Sequence, residues 1–134
     1  MAKGYQTNQE RKMTLSSFGK DLARRARSKC ELCESAGVPL SVFEVPPEPT
    51  EAVDIDQCIF ICDNCREQSE NLKKFKPGEH WRVLAQTVWS ETAPIQVMAT
   101  RLLKRQADSQ AWARETLDGL FLDEELEEWV TKAE

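Results

Sequence analysis

A chain of 134 residues, 40% hydrophobic and with a formal charge of −5, holds apolar material for one modest domain. It has no run approaching the roughly 18 apolar residues of a membrane span, which excludes a spanning helix. It opens Met-Ala-Lys-Gly-Tyr-Gln-Thr without an apolar signal segment, and its five cysteines leave one over in any disulfide framework. Both features point to a soluble protein of a reducing, cytoplasmic compartment.

In chain order, residues 1–15 read as a flexible N-terminal tail, since 1–13 are polar and lack periodicity. From Ser16 or Ser17 a helix is expected, with Phe18, Leu22 and Ala26 at helical spacing and Arg24, Arg25 and Arg27 in the last turn, where the macrodipole favours cations. That helix delivers the chain to Cys30-Glu-Leu-Cys33. Leu40 to Val45 reads as a strand ended by Pro46-Pro47 and Pro49. An acidic, proline-rich loop to Gln57 leads to a second strand, Cys58-Ile-Phe-Ile-Cys62, whose alternation puts Cys58, Phe60 and Cys62 on one face. After Cys62-Asp-Asn-Cys65, residues 66–74 read as a helix broken at Pro77-Gly78. Residues 16–76 are therefore an N-terminal helix with a four-cysteine finger.

Residues 77–134 are helical in pattern. Four apolar stripes follow one another: Trp81, Leu84, Ala85 and Val88; Ile95, Met98, Ala99, Leu102 and Leu103; Trp112, Ala113, Thr116, Leu117 and Leu120; Leu126, Trp129 and Val130. Short turns between them predict a small bundle of antiparallel neighbours. Trp81, Trp112 and Trp129 are expected in its core, and Trp89 is the weakest of the four tryptophans as a core residue. The fold class is thus α+β, mostly α: a treble-clef or zinc-ribbon-like finger, made of a short β-hairpin plus helix, followed by a C-terminal helical bundle packed on it.

Two C-x-x-C knuckles 28 residues apart supply four soft thiolates to one tetrahedral ion. Cys30, Cys33, Cys62 and Cys65 are the expected ligands of a single structural Zn2+. A closed four-thiolate shell has no position for substrate. An iron centre of rubredoxin type uses similar spacing, and ligand type alone does not separate the two. Cys58 reads as a small buried hydrophobe in preference to a substitute ligand exchanging with Cys62. His80, the sole histidine, is expected at the surface or as a cap.

Charge is segregated along the chain: residues 1–29 carry +6, residues 30–65 carry −8 and residues 66–134 carry −3. A basic segment ahead of a knuckle can touch phosphates, but the acidic knuckle would repel them. Docking of the basic helix on the acidic segment is the expectation.

The order of knuckle, strands and knuckle-bearing helix resembles the zinc-pinned HNH nucleases. Val42-Phe-Glu-Val-Pro46 stands where that resemblance implies a histidine strand, and Arg66 follows Cys65 where it implies a histidine. Without those imidazoles, phosphodiester hydrolysis has neither base nor metal seat. Glu44 is a formal alternative base but is expected to be a solvated strand-end residue.

A second resemblance rests on Cys30-Glu-Leu-Cys33, Leu40-Ser-Val-Phe-Glu-Val-Pro-Pro47, Cys62-Asp-Asn-Cys65, His80-Trp-Arg82, Trp89-Ser90, Pro94-Ile-Gln-Val-Met98, Arg101-Leu-Leu103, Leu117-Asp118 and Leu122-Asp123. Over roughly 20–134 the chain resembles the bacterial PhnA-like proteins, named after alkylphosphonate-utilisation operons. The resemblance implies a non-enzymatic zinc-binding protein, a scaffold or accessory factor for an unknown protein partner, loosely associated with phosphonate or phosphate metabolism. The phosphonoacetate hydrolase that shares the name is unrelated and needs two zinc ions with Asp and His ligands, which a chain with one histidine does not supply. The alternative is a nucleic-acid-binding module with a degenerate, non-catalytic HNH-like frame, which the acidic knuckle disfavours. No membrane partner is expected.

Overall fold

The computed structural model describes residues 8–47 and 52–132. Residues 1–7 of the expected tail, Pro49 of the expected loop, and residues 133–134 lie outside the described residues. The elements in order are α1 (Asn8–Ser17), α2 (Gly19–Ala26), β1 (Leu40–Glu44), β2 (Cys58–Cys62), α3 (Asp63–Glu70), α4 (Leu84–Thr87), α5 (Ala93–Gln106), α6 (Ala111–Asp118) and α7 (Glu124–Lys132). Single 3-10 turns at Ile55–Gln57, Leu72–Lys74 and Glu79–Trp81 punctuate the connections. The fold is α+β and mostly helical.

The two strands pair antiparallel with Leu40 opposite Cys62, Val42 opposite Phe60 and Glu44 opposite Cys58. Because side chains alternate, this register gives the sheet two different faces. Phe43, Ile59 and Ile61 point into the main core, where all three are buried. Val42 and Phe60 share the opposite face, which the N-terminal helices cover: a Cβ built at Gly19 would stand 4.0 Å from the Phe60 ring.

One expectation is overturned at the N-terminus. Residues 8–15 are not a tail but most of α1. Ten residues of low amphipathicity do not hold a helix unaided. Here tertiary contacts do so: Arg11 forms an ion pair with Glu44 at the end of β1, and α1 packs along β1. Glu44 is accordingly not solvated. Its side chain is only 7% exposed.

Helix α2 ends in a Schellman arrangement. Arg27 and Ser28 adopt left-handed φ of 55° and 60°, so that the Ser28 N–H reaches Ala23 O at 3.2 Å and the Arg27 N–H reaches Arg24 O at 3.3 Å. This reverses the chain into the first knuckle. Arg25 then forks onto Glu31, with Nε to Oε2 at 2.8 Å and Nη2 to Oε1 at 2.7 Å, and also donates to Cys58 O at 3.0 Å. Of the cations expected to dock the basic helix, Arg25 joins the acidic segment, and Arg11, from the expected tail, joins it as well. Arg24, Arg27 and Lys29 stay exposed, Arg24 near only its own-helix Asp21 at 3.8 Å.

The C-terminal elements are organised around α5 rather than as four equal stripes. Pro94 starts it, where a missing N–H costs nothing. Besides the expected stripe, Val97, Thr100, Arg101 and Gln106 are buried, since β2, α4, α6 and α7 all pack on this helix. A helix buried all round is a central helix. The core is continuous from the knuckle residues Cys30 and Leu32 through Phe43, Ile59 and Trp81 to Val130. Trp81 is fully buried, Trp112 and Trp129 pack at the core's edge, and Trp89 is 53% exposed.

Truncation at the centre of α5 should be costly. Leu102→Ala should lower unfolding free energy by about 2–5 kcal/mol, whereas Trp89→Ala should shift it by no more than about 0.5 kcal/mol, as read by urea denaturation of the metal-loaded protein.

Candidate metal centre

Each knuckle is built by a tight backbone reversal. At the first, the Glu34 N–H bonds Cys30 O at 2.8 Å and the Cys30 N–H bonds Ser35 O at 2.9 Å, with Glu34 forced to a left-handed φ of 65°. At the second, the strand runs directly into a helix: Cys62 ends β2 and is the N-cap of α3, its sulfur accepting the Cys65 N–H at 3.5 Å. Cys65 therefore sits in the first turn of α3 and faces the same point as Cys62.

The two reversals converge. The four Sγ atoms of Cys30, Cys33, Cys62 and Cys65 lie within 4.8 Å of one another. Two of the cross-knuckle separations, Cys30 to Cys65 and Cys33 to Cys62, are 3.7 Å. A disulfide requires about 2.05 Å, so these are free thiols. A tetrahedron of sulfurs each about 2.3 Å from a central ion has edges of about 3.8 Å. The donor set and its spacing fit a soft, tetrahedral divalent ion.

Backbone dipoles already favour negative sulfur. Cys30 Sγ accepts the N–H of Cys33 and of Cys62, each at 3.4 Å, and Ser35 Oγ stands 3.1 Å from Cys33 Sγ. The thiols are buried or half-buried and bonded to one another. Cys33 is driven well below the usual thiol range by hydrogen bonds from Cys30 and then Cys65. Cys30 is pushed up to about 11, first by its bond to Cys33. Cys65 is driven strongly up by its bonds to Cys30 and Cys33 and then by burial. A divalent cation bound by these sulfurs would replace their protons.

Other expected residues fall in different places. Cys58 is outside the group of four, its thiol donating to Asp54 O at 3.3 Å. Burial, followed by the charges of Glu44 and Asp54, pushes it up to about 12. His80 is exposed, as expected, yet its Nε2 lies 3.8 Å from Cys65 Sγ and 3.2 Å from Asn64 Nδ2. Sequence reasoning did not find that neighbour. Its placement follows from Trp81, which is fully buried, donates to Gln68 Oε1 at 3.1 Å, and carries His80 edge-on beside α3. Arg66, following Cys65, turns away from the sulfurs: it donates to Ser41 Oγ at 3.1 Å and to Val42 O, and lies over the Phe43 ring.

No protein-family model, no curated protein and no solved structure matches this chain. The site is therefore argued from its own geometry.

One metal ion per chain is expected by elemental analysis. Cys30→Ser or Cys62→Ser should lose it, and Cys58→Ser should keep it; retention in the Cys62 variant with loss in the Cys58 variant would reverse the ligand assignment. Metal occupancy should fall as pH falls, because protons compete for the thiolates. Cys58 makes a separate alkaline prediction. Its folded value, about 12, lies above its ordinary 9.0. Its contribution is fully present below pH 9 and is lost as pH rises towards 12, by up to about 1.4 kcal/mol per pH unit. The stability of wild type relative to Cys58→Ala should decline only in that window.

Proposed function

We propose that this is a non-enzymatic zinc-binding protein of the PhnA-like type, in which a treble-clef finger is pinned by one structural Zn2+ on Cys30, Cys33, Cys62 and Cys65. The observation that carries the reading is the convergence of four sulfurs, two pairs of them at 3.7 Å, from one knuckle that precedes β1 and one that begins at the end of β2. Zinc is favoured because it takes four thiolates without redox demands, and thiolate softness selects against the magnesium and calcium that oxygen ligands prefer. Four protein ligands close the shell. The ion holds the finger together and has no open position for water or substrate.

The end of β1 supports the non-enzymatic part. Where an HNH-like frame would need an imidazole, Phe43 is buried in the core and Glu44 is tied to Arg11. The single histidine lies beside Cys65, its Nε2 3.8 Å from the sulfur. A general base must reach the proton it removes, and Glu44 is 7% exposed with Oε1 paired to Arg11. The finger and bundle share one core, which suits a rigid scaffold presented to a protein partner. The link to phosphonate or phosphate metabolism rests on the family resemblance alone.

A nucleic-acid reading has one observation in its favour. Lys20 and Arg24 stand at i and i+4 on α2 and are exposed, and the exposed Arg27 follows the helix at its left-handed end. Against it stand Asp21 on the same helix and Glu34 at the knuckle, both exposed.

Incubation of the zinc-loaded protein with plasmid DNA plus magnesium, and with phosphonoacetate, should give only background turnover; activity abolished by Glu44→Gln would refute the non-enzymatic reading. In a salt titration with duplex and single-stranded oligonucleotides, affinity should be no tighter than about 10⁻⁴–10⁻⁶ M. Nanomolar binding lost in Arg24→Ala and Arg27→Ala would move the nucleic-acid reading to first place.

A further inference from the structure

A cavity of about 570 Å³ opens between α1, the start of α2 and the outer edge of β1, and none of the four metal-centre cysteines lines it. Its chemistry is unlike that of the surrounding surface. In a chain of net charge −5, two cations line it, Lys12 and Arg66, and no carboxylate does. Two hydroxyls, Ser16 and Ser41, complete its polar lining, and its floor is the cross-strand pair Val42 and Phe60. Both floor residues remain partly exposed although they lie on a sheet face covered by helices.

The polar groups are held in place and keep capacity to donate. Arg66 is fixed at three points: Nε to Ser41 Oγ at 3.1 Å, Nη2 to Val42 O, and Nη1 to Glu70 Oε2 at 3.2 Å. Each terminal nitrogen carries two N–H groups, so one on each is left over. Ser41 uses its oxygen to accept from Arg66, which leaves its hydroxyl hydrogen to donate. The Glu70 contact is an exposed i,i+4 pair with Glu70 53% exposed, of a kind that contributes little. Such a pair yields readily to a better placed anion.

We infer that the cleft between α1 and the edge of β1 binds a small organic anion, its carboxylate or phosphate head on Lys12, Arg66 and Ser41 and its apolar body on Val42 and Phe60. A guanidinium fixed in plane is suited to either head. A concave, largely apolar site with a few convergent donors is the common form of a small-ligand site. A polyanion is disfavoured because α3 presents Asp63, Glu67 and Glu70 beside Arg66 on a neighbouring surface. The inference is independent of the metal's identity and of the scaffold role.

Titration of the full, zinc-loaded chain with phenyl phosphate and with benzoate, followed by amide chemical shifts, tests it. Both probes should saturate and shift the amides of Lys12, Val42 and Phe60, and the tighter of the two identifies the head group. Inorganic phosphate, a head without a body, should bind about tenfold more weakly. Lys12 is exposed, so Lys12→Glu should fold and should weaken the probes by about tenfold or more. Glu70→Gln removes the competing carboxylate and should tighten them, an outcome that misfolding cannot imitate. Absence of saturation at millimolar probe, equal affinity in Lys12→Glu, or a single-stranded oligonucleotide binding the same amides more tightly than either probe would each overturn the inference.

Discussion

Four sulfurs drawn to one point are the constraint on which the rest of the fold depends. They come from two turns separated by β1, its long return loop and β2, and no hydrophobic contact by itself would bring four thiols within 4.8 Å. Protonated, they are weak donors crowded together; ionised, they repel. A divalent ion resolves both problems and, in zinc-finger peptides, supplies apparent binding energy of about 10–16 kcal/mol. That suits a two-stranded sheet, which is marginal alone. An ion held by the four sulfurs would fix β2 against the first knuckle, and Thr87 ties that knuckle to α4 by donating to Leu32 O at 3.1 Å.

A second device recurs outside the metal centre. Guanidinium groups, rather than further apolar contacts, close the junctions between elements, and most do so by donating to backbone carbonyls. Arg25 takes Cys58 O beside its fork on Glu31, and Arg66 takes Val42 O at the open edge of β1. Arg105 reaches from α5 to Gln68 O and Ser69 O at the end of α3, at 2.8 and 3.2 Å. Arg101, buried in α5, reaches Trp129 O and Val130 O near the end of α7, at 2.5 and 3.1 Å. The last carbonyls of a helix have no intrahelical donor, and a planar fork can serve two of them at once. Lysine in these positions would bring charge without that geometry. Trp129 completes the circuit by donating to Pro46 O at 3.0 Å, joining the last helix to the end of the first strand.

These junctions explain how one shared core and an open cleft coexist. The face of the sheet carrying Phe43, Ile59 and Ile61 is committed to the core. The opposite face is only partly covered, because α1 and α2 meet at Phe18 and Gly19 and leave the Val42 and Phe60 pair accessible between them. Arg11 holds α1 down at one end through Glu44, and Arg25 holds α2 at the other through Glu31. The space between the two anchors is the cleft.

Much of this was legible in the chain itself. Knuckle spacing named the four cysteines, period-two alternation placed Cys58, Phe60 and Cys62 on one face, and period-3.6 stripes located α5, α6 and α7, since these signals depend on neighbours a few residues away. Tertiary structure alone decided the rest. The polar run from Asn8 has no local reason to be helical and becomes α1 only because Arg11 finds Glu44, 33 residues on. Glu44 is buried for the same reason, against the ordinary behaviour of a strand-end acid. Arg101 and Gln106 lie outside the apolar stripe of α5 yet are buried because other elements surround that helix. His80 lies beside Cys65 because a buried Trp81 carries it there. Residues whose environment is set by sequence neighbours could be read from composition and spacing, whereas a charged side chain's place depends on which distant group satisfies it, and only the folded chain specifies that.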